Sequence, residues 1–285
     1  LLNHEPFLVL SDYLTRNGIV VLRYDDRGVG ESKGDFNAST SIDFASDASA
    51  AVNYLVSRTD IPIRNIGIAG HSEGGLIAPI TASENNEVDF IVLMAGPGIP
   101  GDSILLLQGD LITKASGMSE ESVKALHELR KNIMQVAKDE IDNDVMRNKM
   151  ITLNKNFIAN TPKHILDELE MTEDDVEEGL DIYTGEWMQF FLAYNPRPTL
   201  EHTTIPVLAI NGTTDLQVPY KENLEAIEKA LIKAGNKNYQ ITALNNLNHL
   251  FQYSVTGSPM EYGTIEETFN EKAMNIISNW ISAQK

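Results

Sequence analysis

The chain contains no cysteine. Disulfides and thiolate chemistry are therefore excluded, and the redox compartment is left open. Basic residues are scarce: 22 Lys and Arg stand against 41 Asp and Glu, a formal net charge of −19. So acidic a surface argues against nucleic acid and anionic membranes as partners, because both are polyanions. No apolar run approaches the roughly 20 residues that a membrane-spanning helix needs. The first residue is Leu1 rather than Met, and no signal-peptide pattern precedes it, so the compartment is not legible from the terminus. Oligomeric state is not legible from the sequence either. What remains is 285 residues with 42 % hydrophobic content, enough to fill a core. That length suits one large α/β domain, or one domain with an inserted subdomain.

Hydrophobic spacing separates two kinds of segment. Residues 6–17 have helical spacing, with Phe7, Leu10 and Leu14 on one face, Pro6 in the first turn and Gly18 as the stop. Residues 40–57 form a second amphipathic helix along Ala45, Ala48, Val52 and Leu55. Short apolar runs read as strands at 19–24, 66–69, 88–95, 207–210 and 239–244. The run 88–95 is apolar nearly throughout, as a strand covered on both faces should be. Helices are expected at 75–82, 220–234 and 266–283. Strands alternating with helices predict a doubly wound, mostly parallel sheet. Residues 100–198 break the alternation. They carry helical spacing at 119–138, 142–157 and 162–169, an acidic cluster at 170–178, and almost no strand signal. The expected organisation is an α/β core at 1–99 and 199–285 with a helical cap inserted at 100–198. Trp187, Phe190, Phe191 and Tyr194 could line an apolar pocket in that cap or fill its core.

Residues 70–74 read Gly70-His71-Ser72-Glu73-Gly74, a G-x-S-x-G pentapeptide. The motif is short enough to arise by chance, so its context decides. A strand precedes it and a helix follows it, the arrangement in which a sharp turn lifts the serine hydroxyl above a sheet. The flanking glycines are expected where side chains would clash. A serine hydroxyl needs a base to become a nucleophile, usually a histidine whose tautomer is fixed by a carboxylate. In such folds the chain order is Ser, acid, His. Of six histidines, His249 is the one beyond the later strands, in a loop that follows the run 239–244. Asp215 follows the run 207–210 and fits the acid; Asp102 is the runner-up. An oxyanion needs two donors. The backbone N–H of Glu73, next after the nucleophile, is one of them; the second normally comes from the loop after the third strand.

These segments resemble the α/β-hydrolase family, in its branch of bacterial esterases and serine-aminopeptidase-like hydrolases with a helical cap. The resemblance rests on Tyr24-Asp25-Asp26-Arg27-Gly28-Val29-Gly30-Glu31-Ser32, on the pentapeptide, on Pro206 to Pro219 with Asp215 inside, and on Asn248-His249-Leu250-Phe251-Gln252. It covers nearly the whole chain outside the cap. It implies Ser72 as nucleophile, Asp215 as acid, His249 as base and the Glu73 N–H as an oxyanion donor, while the Asp25–Gly30 turn is structural. It departs at the amino end: no strand precedes Pro6, so strands of the catalytic domain, with the second oxyanion donor, are expected upstream of Leu1. The function expected first is hydrolysis of carboxylic esters through an acyl-enzyme. A peptidase with the same triad and a non-catalytic binding protein on the same scaffold are the alternatives. The substrate would be a small ester or a short peptide. No cofactor is required, and no His/Asp cluster has metal-ligand spacing.

Overall fold

A computed structural model of the chain describes residues 4–284. Among these residues the sheet has strands β1 (Gly67–His71), β2 (Phe90–Met94), β3 (Val207–Gly212) and β4 (Tyr239–Leu244). All pairings are parallel, in the spatial order β1-β2-β3-β4, with Gly67 opposite Phe90, Val92 opposite Leu208 and Ile210 opposite Thr242.

Every residue of β2 is buried, and alternate residues face different cores. Phe90, Val92 and Met94 pack with Leu10 and Leu14 of α1 (Pro6–Arg16) and with Ala273, Ile277 and Trp280 of α11 (Glu271–Ala283). Ile91 and Leu93 pack on the opposite face with Val52 of α2 (Ser41–Ser57), Ala78 of α3 (Gly74–Glu84) and Ile227 of α10 (Tyr220–Lys233). Helices on both faces make the sheet doubly wound, and double burial explains the unbroken apolar run. Each fully buried Leu, Ile or Phe contributes about 1.5–3 kcal/mol, so this layer accounts for much of the fold's cohesion. The helix starts are chemically marked. Thr40 precedes α2, and Asp43 Oδ2 accepts from both the Thr40 N–H and its Oγ1, each at 2.9 Å.

Two expectations are corrected near the amino end. The run 19–24 forms no ladder. Its alternation holds over the first four residues: Ile19 and Val21 pack on the core and Val20 and Leu22 are exposed, and it ends there, with Arg23 and Tyr24 both exposed. A strand also needs a backbone partner, and none lies beside this run among the described residues. Phe7 is expected on the buried face of α1, yet it is 41 % exposed, with its ring centroid 5.7 Å from that of His71.

Between β2 and β3 the described residues form helices α4 (Gly101–Ala115), α5 (Glu120–Asp139), α6 (Asn143–Asn160), α7 (Lys163–Glu168), α8 (Glu186–Ala193) and α9 (Arg197–Leu200). They have a core of their own, including Leu129, Ile133, Met146, Met150 and Leu192. Capping sets the boundaries of the two long helices. Ser119 Oγ accepts from the Ser122 N–H at 3.2 Å, and Asp142 Oδ1 from the Val145 N–H at 3.0 Å. No helix among the described residues is long and apolar enough to cross a membrane.

Candidate active site

Ser72 stands between the end of β1 and the start of α3 with φ of 54°. That left-handed conformation costs a non-glycine residue energy and persists where surrounding structure enforces it. The enforcement is visible. The Ser72 N–H donates to Met94 O at 2.9 Å, and Ser72 O accepts from the Gly75 N–H at 2.8 Å. A Cβ at Gly70 would lie 1.9 Å from Gly74 O, so the strand must pass the helix start without a side chain. Gly74 itself has open space around its missing Cβ. The second sterically required glycine is Gly75, whose Cβ would lie 2.5 Å from Gly96 Cα. The clash expected at both flanks of the pentapeptide thus exists at Gly70 and one position beyond Gly74.

The structure brings Asp215 and His249 together. Asp215 and His249 are both buried, with His249 Nδ1 2.9 Å from Asp215 Oδ2. The other carboxylate oxygen, Oδ1, accepts from the N–H groups of Gln217 at 2.8 Å and Val218 at 2.9 Å. An ionised carboxylate only accepts, so the proton lies on His249 Nδ1 and Nε2 is left with a lone pair. Gly212 makes the meeting possible: a Cβ there would sit 1.9 Å from Leu247 O. Asn248 fixes the turn that carries the histidine, its Oδ1 accepting from the Leu250 N–H at 3.0 Å and the Gln252 N–H at 2.9 Å. Asp102, the runner-up acid, lies in the first turn of α4 and instead pairs with Lys138 of α5.

Ser72 Oγ makes no hydrogen bond with His249 among the described residues; such bonds often tighten only when substrate is bound. The two are connected through His71. Its Nε2 lies 2.7 Å from His249 O, and the two imidazole centroids are 4.7 Å apart. A carbonyl can only accept, so His71 donates. Burial, aided by His249 close by, pushes the His71 imidazole down to about 3 from an ordinary value of 6.5. His71 therefore stays neutral beside His249. A consequence for stability follows. Below pH about 6.5 the unfolded chain protonates this side chain while the folded chain does not until about pH 3. Stability should therefore fall with pH across that window, by up to about 1.4 kcal/mol per pH unit from this group. Urea unfolding at several pH values checks it: a His71→Asn variant should lose that part of the slope, and an unchanged slope would assign the loss to other groups.

Glu73 contributes more than its backbone. Its Oε1 accepts from Ser41 Oγ at 2.7 Å and from Trp187 Nε1 at 2.8 Å. Burial pushes its carboxyl above the usual range, against the pull of those two donors. Of the four aromatics in question, Trp187 and Phe191 stack at 5.2 Å and Phe190 stacks on Tyr194 at 5.2 Å. Phe191 is buried, and Trp187 reaches the turn that carries Ser72. Sequence patterns do not reveal the bonds that His71, Ser41 and Trp187 make here, although Trp187 is among the aromatics they single out. For His71 a signal existed, because it lies inside the pentapeptide. Among the described residues no group of three or more His, Asp or Glu side chains could hold a metal ion.

Comparison with known proteins gives a consistent picture. The sequence model of the serine aminopeptidase family S33 matches residues 6–179. The chain is 26 % identical over 253 residues to the esterase EstD of Thermotoga maritima, covering 87 % of this chain and 50 % of that protein. It thus spans about half the length of that curated relative. Est1E of Butyrivibrio proteoclasticus, solved with ferulic acid bound, has a TM-score of 0.56 and 16 % identity over 99 % of this chain and 84 % of that one. An esterase of Pyrococcus furiosus has a TM-score of 0.54 and 14 % identity, covering 97 % of this chain and 73 % of that one. At such identities these two structures share the fold.

Proposed function

This chain belongs to the serine aminopeptidase S33 family of α/β hydrolases, and from that premise we propose that it hydrolyses carboxylic esters through an acyl-enzyme on Ser72. The observation that carries the proposal is the buried Asp215–His249 pair, whose Nδ1 bond leaves Nε2 as the available base. His249 Nε2 takes the proton of Ser72 Oγ as that oxygen attacks the ester carbonyl. The tetrahedral oxyanion is met by the Glu73 N–H, a donor of the kind whose removal costs about 10²–10³ in turnover. Collapse of the intermediate expels the alcohol, which takes the proton from His249. Water, deprotonated by the same nitrogen, then attacks the acyl group; the second intermediate collapses to release the acid, and His249 returns the proton to Ser72 Oγ. Asp215 stays ionised and stabilises the imidazolium in both halves. Helices α4 to α9 act as the cap over this site, with the aromatic residues of α8 towards the acyl group.

The peptidase reading is favoured by the family's own description. It needs a carboxylate to hold a substrate α-amine. The Glu73 carboxylate beside Ser72 gives its Oε1 to Ser41 and Trp187 and so serves packing; the ester reading stays ahead on the similarity to the esterase EstD. Two measurements on the whole protein decide. A fluorophosphonate probe should label Ser72, and p-nitrophenyl acetate should be turned over faster than alanine p-nitroanilide. Faster cleavage of the anilide would make it a peptidase. Absence of both labelling and turnover would leave a binding protein on a hydrolase scaffold.

A further inference from the structure

The side chain of Glu73 has a place in the site separate from that of its N–H. We infer that the Glu73 carboxylate is a positioning group that ties helix α8 of the insertion to the nucleophile turn and so sets the wall of the substrate pocket. The inference rests on the hydrolase reading for what lies in that pocket, but the tie itself is a matter of geometry. Three elements far apart in the chain converge on one oxygen: the first residue of α2 through Ser41, the residue before α3 through Glu73, and α8 through Trp187. Ser41 is fully buried, so the carboxylate is anchored on the core side before it meets α8.

Helix α8 needs such an anchor. It has eight residues, two turns, and no side-chain cap at Gly185. A helix this short is not stable alone, so its position must come from tertiary contacts. Apolar contacts bury area without fixing direction, whereas a hydrogen bond to a carboxylate is short, strong and directional. Trp187 passes the constraint along the helix by stacking on Phe191 at an interplanar angle of 14°. Burial of the carboxylate, with Asp26 nearby, makes it a poor group to leave unpaired.

The test has two readouts. Hydrogen exchange follows the amides of residues 187–194, and steady-state kinetics on p-nitrophenyl esters separates KM from kcat. Glu73→Ala and Trp187→Phe should each speed exchange in α8 and raise KM about tenfold, the scale of a lost charge-assisted hydrogen bond, while kcat changes less. Because the bond lost in Trp187→Phe is already lost in Glu73→Ala, the double variant should be no worse than Glu73→Ala alone. Glu73→Gln, whose amide oxygen can accept the same two donors, should restore α8 protection. Unchanged exchange and KM in Trp187→Phe, or a double variant clearly worse than Glu73→Ala, would overturn the inference; Trp187→Phe keeps this outcome readable if Glu73→Ala folds poorly. If the wild-type protein neither labels with fluorophosphonate nor turns over esters, the hydrolase reading fails, and α8 exchange still judges the tie.

Discussion

Replacing Ser72 with alanine is expected to lower kcat on p-nitrophenyl acetate by about 10⁶ and to abolish fluorophosphonate labelling, with the melting temperature nearly unchanged. The loss is expected because Ser72 is the proposed nucleophile. The chain has no cysteine, and His71, the side chain next to Ser72, is spent on the His249 carbonyl. Stability is kept because alanine has the same Cβ as serine. It carries the same left-handed strain at φ of 54°, and the hydroxyl it loses makes no bond to His249. The backbone bonds of the turn, from the Ser72 N–H to Met94 O and from the Gly75 N–H to Ser72 O, need no side chain. A residual rate about 10³ above water is expected from the oxyanion donor and binding alone. Hydrolysis by Ser72→Ala at the wild-type rate would sink the assignment. Thermal unfolding beside the kinetics separates a folded, inactive protein from an unfolded one.

What the sequence made legible follows a physical line. The nucleophile turn is local: strand, pentapeptide and helix lie within twenty residues, so spacing alone places Ser72. Asp215 and His249 are 34 residues apart, but each follows a strand of one parallel sheet, and parallel strands bring their carboxyl-terminal loops to one edge. Order along the chain therefore stood in for distance. The buried strand β2 was readable because covering both faces leaves no polar position. Where a feature depends on two partners, the reading stopped. The run 19–24 begins with the alternation of a strand and lacks the neighbour that would make it one. The constraint on Gly75 is not legible in sequence because it comes from the Cα of Gly96, just beyond the end of β2. The bond between Trp187 and Glu73 spans 114 positions, and no periodicity encodes it. Trp187 could be placed on a helix as pocket or core; its polar tip had no partner in view.

Asp215→Asn is expected to lower kcat about 10⁴-fold without unfolding the protein, and the reason lies in how the two carboxylate oxygens are divided. Oδ1 serves the backbone, accepting from the Gln217 and Val218 N–H groups, and Oδ2 serves His249. Asparagine keeps one acceptor and replaces the other oxygen with an NH₂ group. Two backbone N–H groups claim the acceptor, since leaving them unpaired in a buried turn costs about 1–3 kcal/mol each. The NH₂ group then faces His249 Nδ1. Two N–H donors cannot face each other, so the imidazole moves its proton to Nε2, the nitrogen that must receive the Ser72 proton. The base is present, correctly placed and in the wrong tautomer. A nitrogen-15 spectrum of His249 should show the proton shifted from Nδ1 to Nε2, and the rate should recover partly at high pH or with a stronger external base. Asp215→Ala is the contrast: it frees Nδ1 but strips both backbone donors of their acceptor, so it should lose stability as well as rate. If Asp215→Asn keeps near-wild-type turnover, Asp215 is only the cap of its own turn, and the orientation of His249 comes from the Asn248 turn and the His71 bond instead.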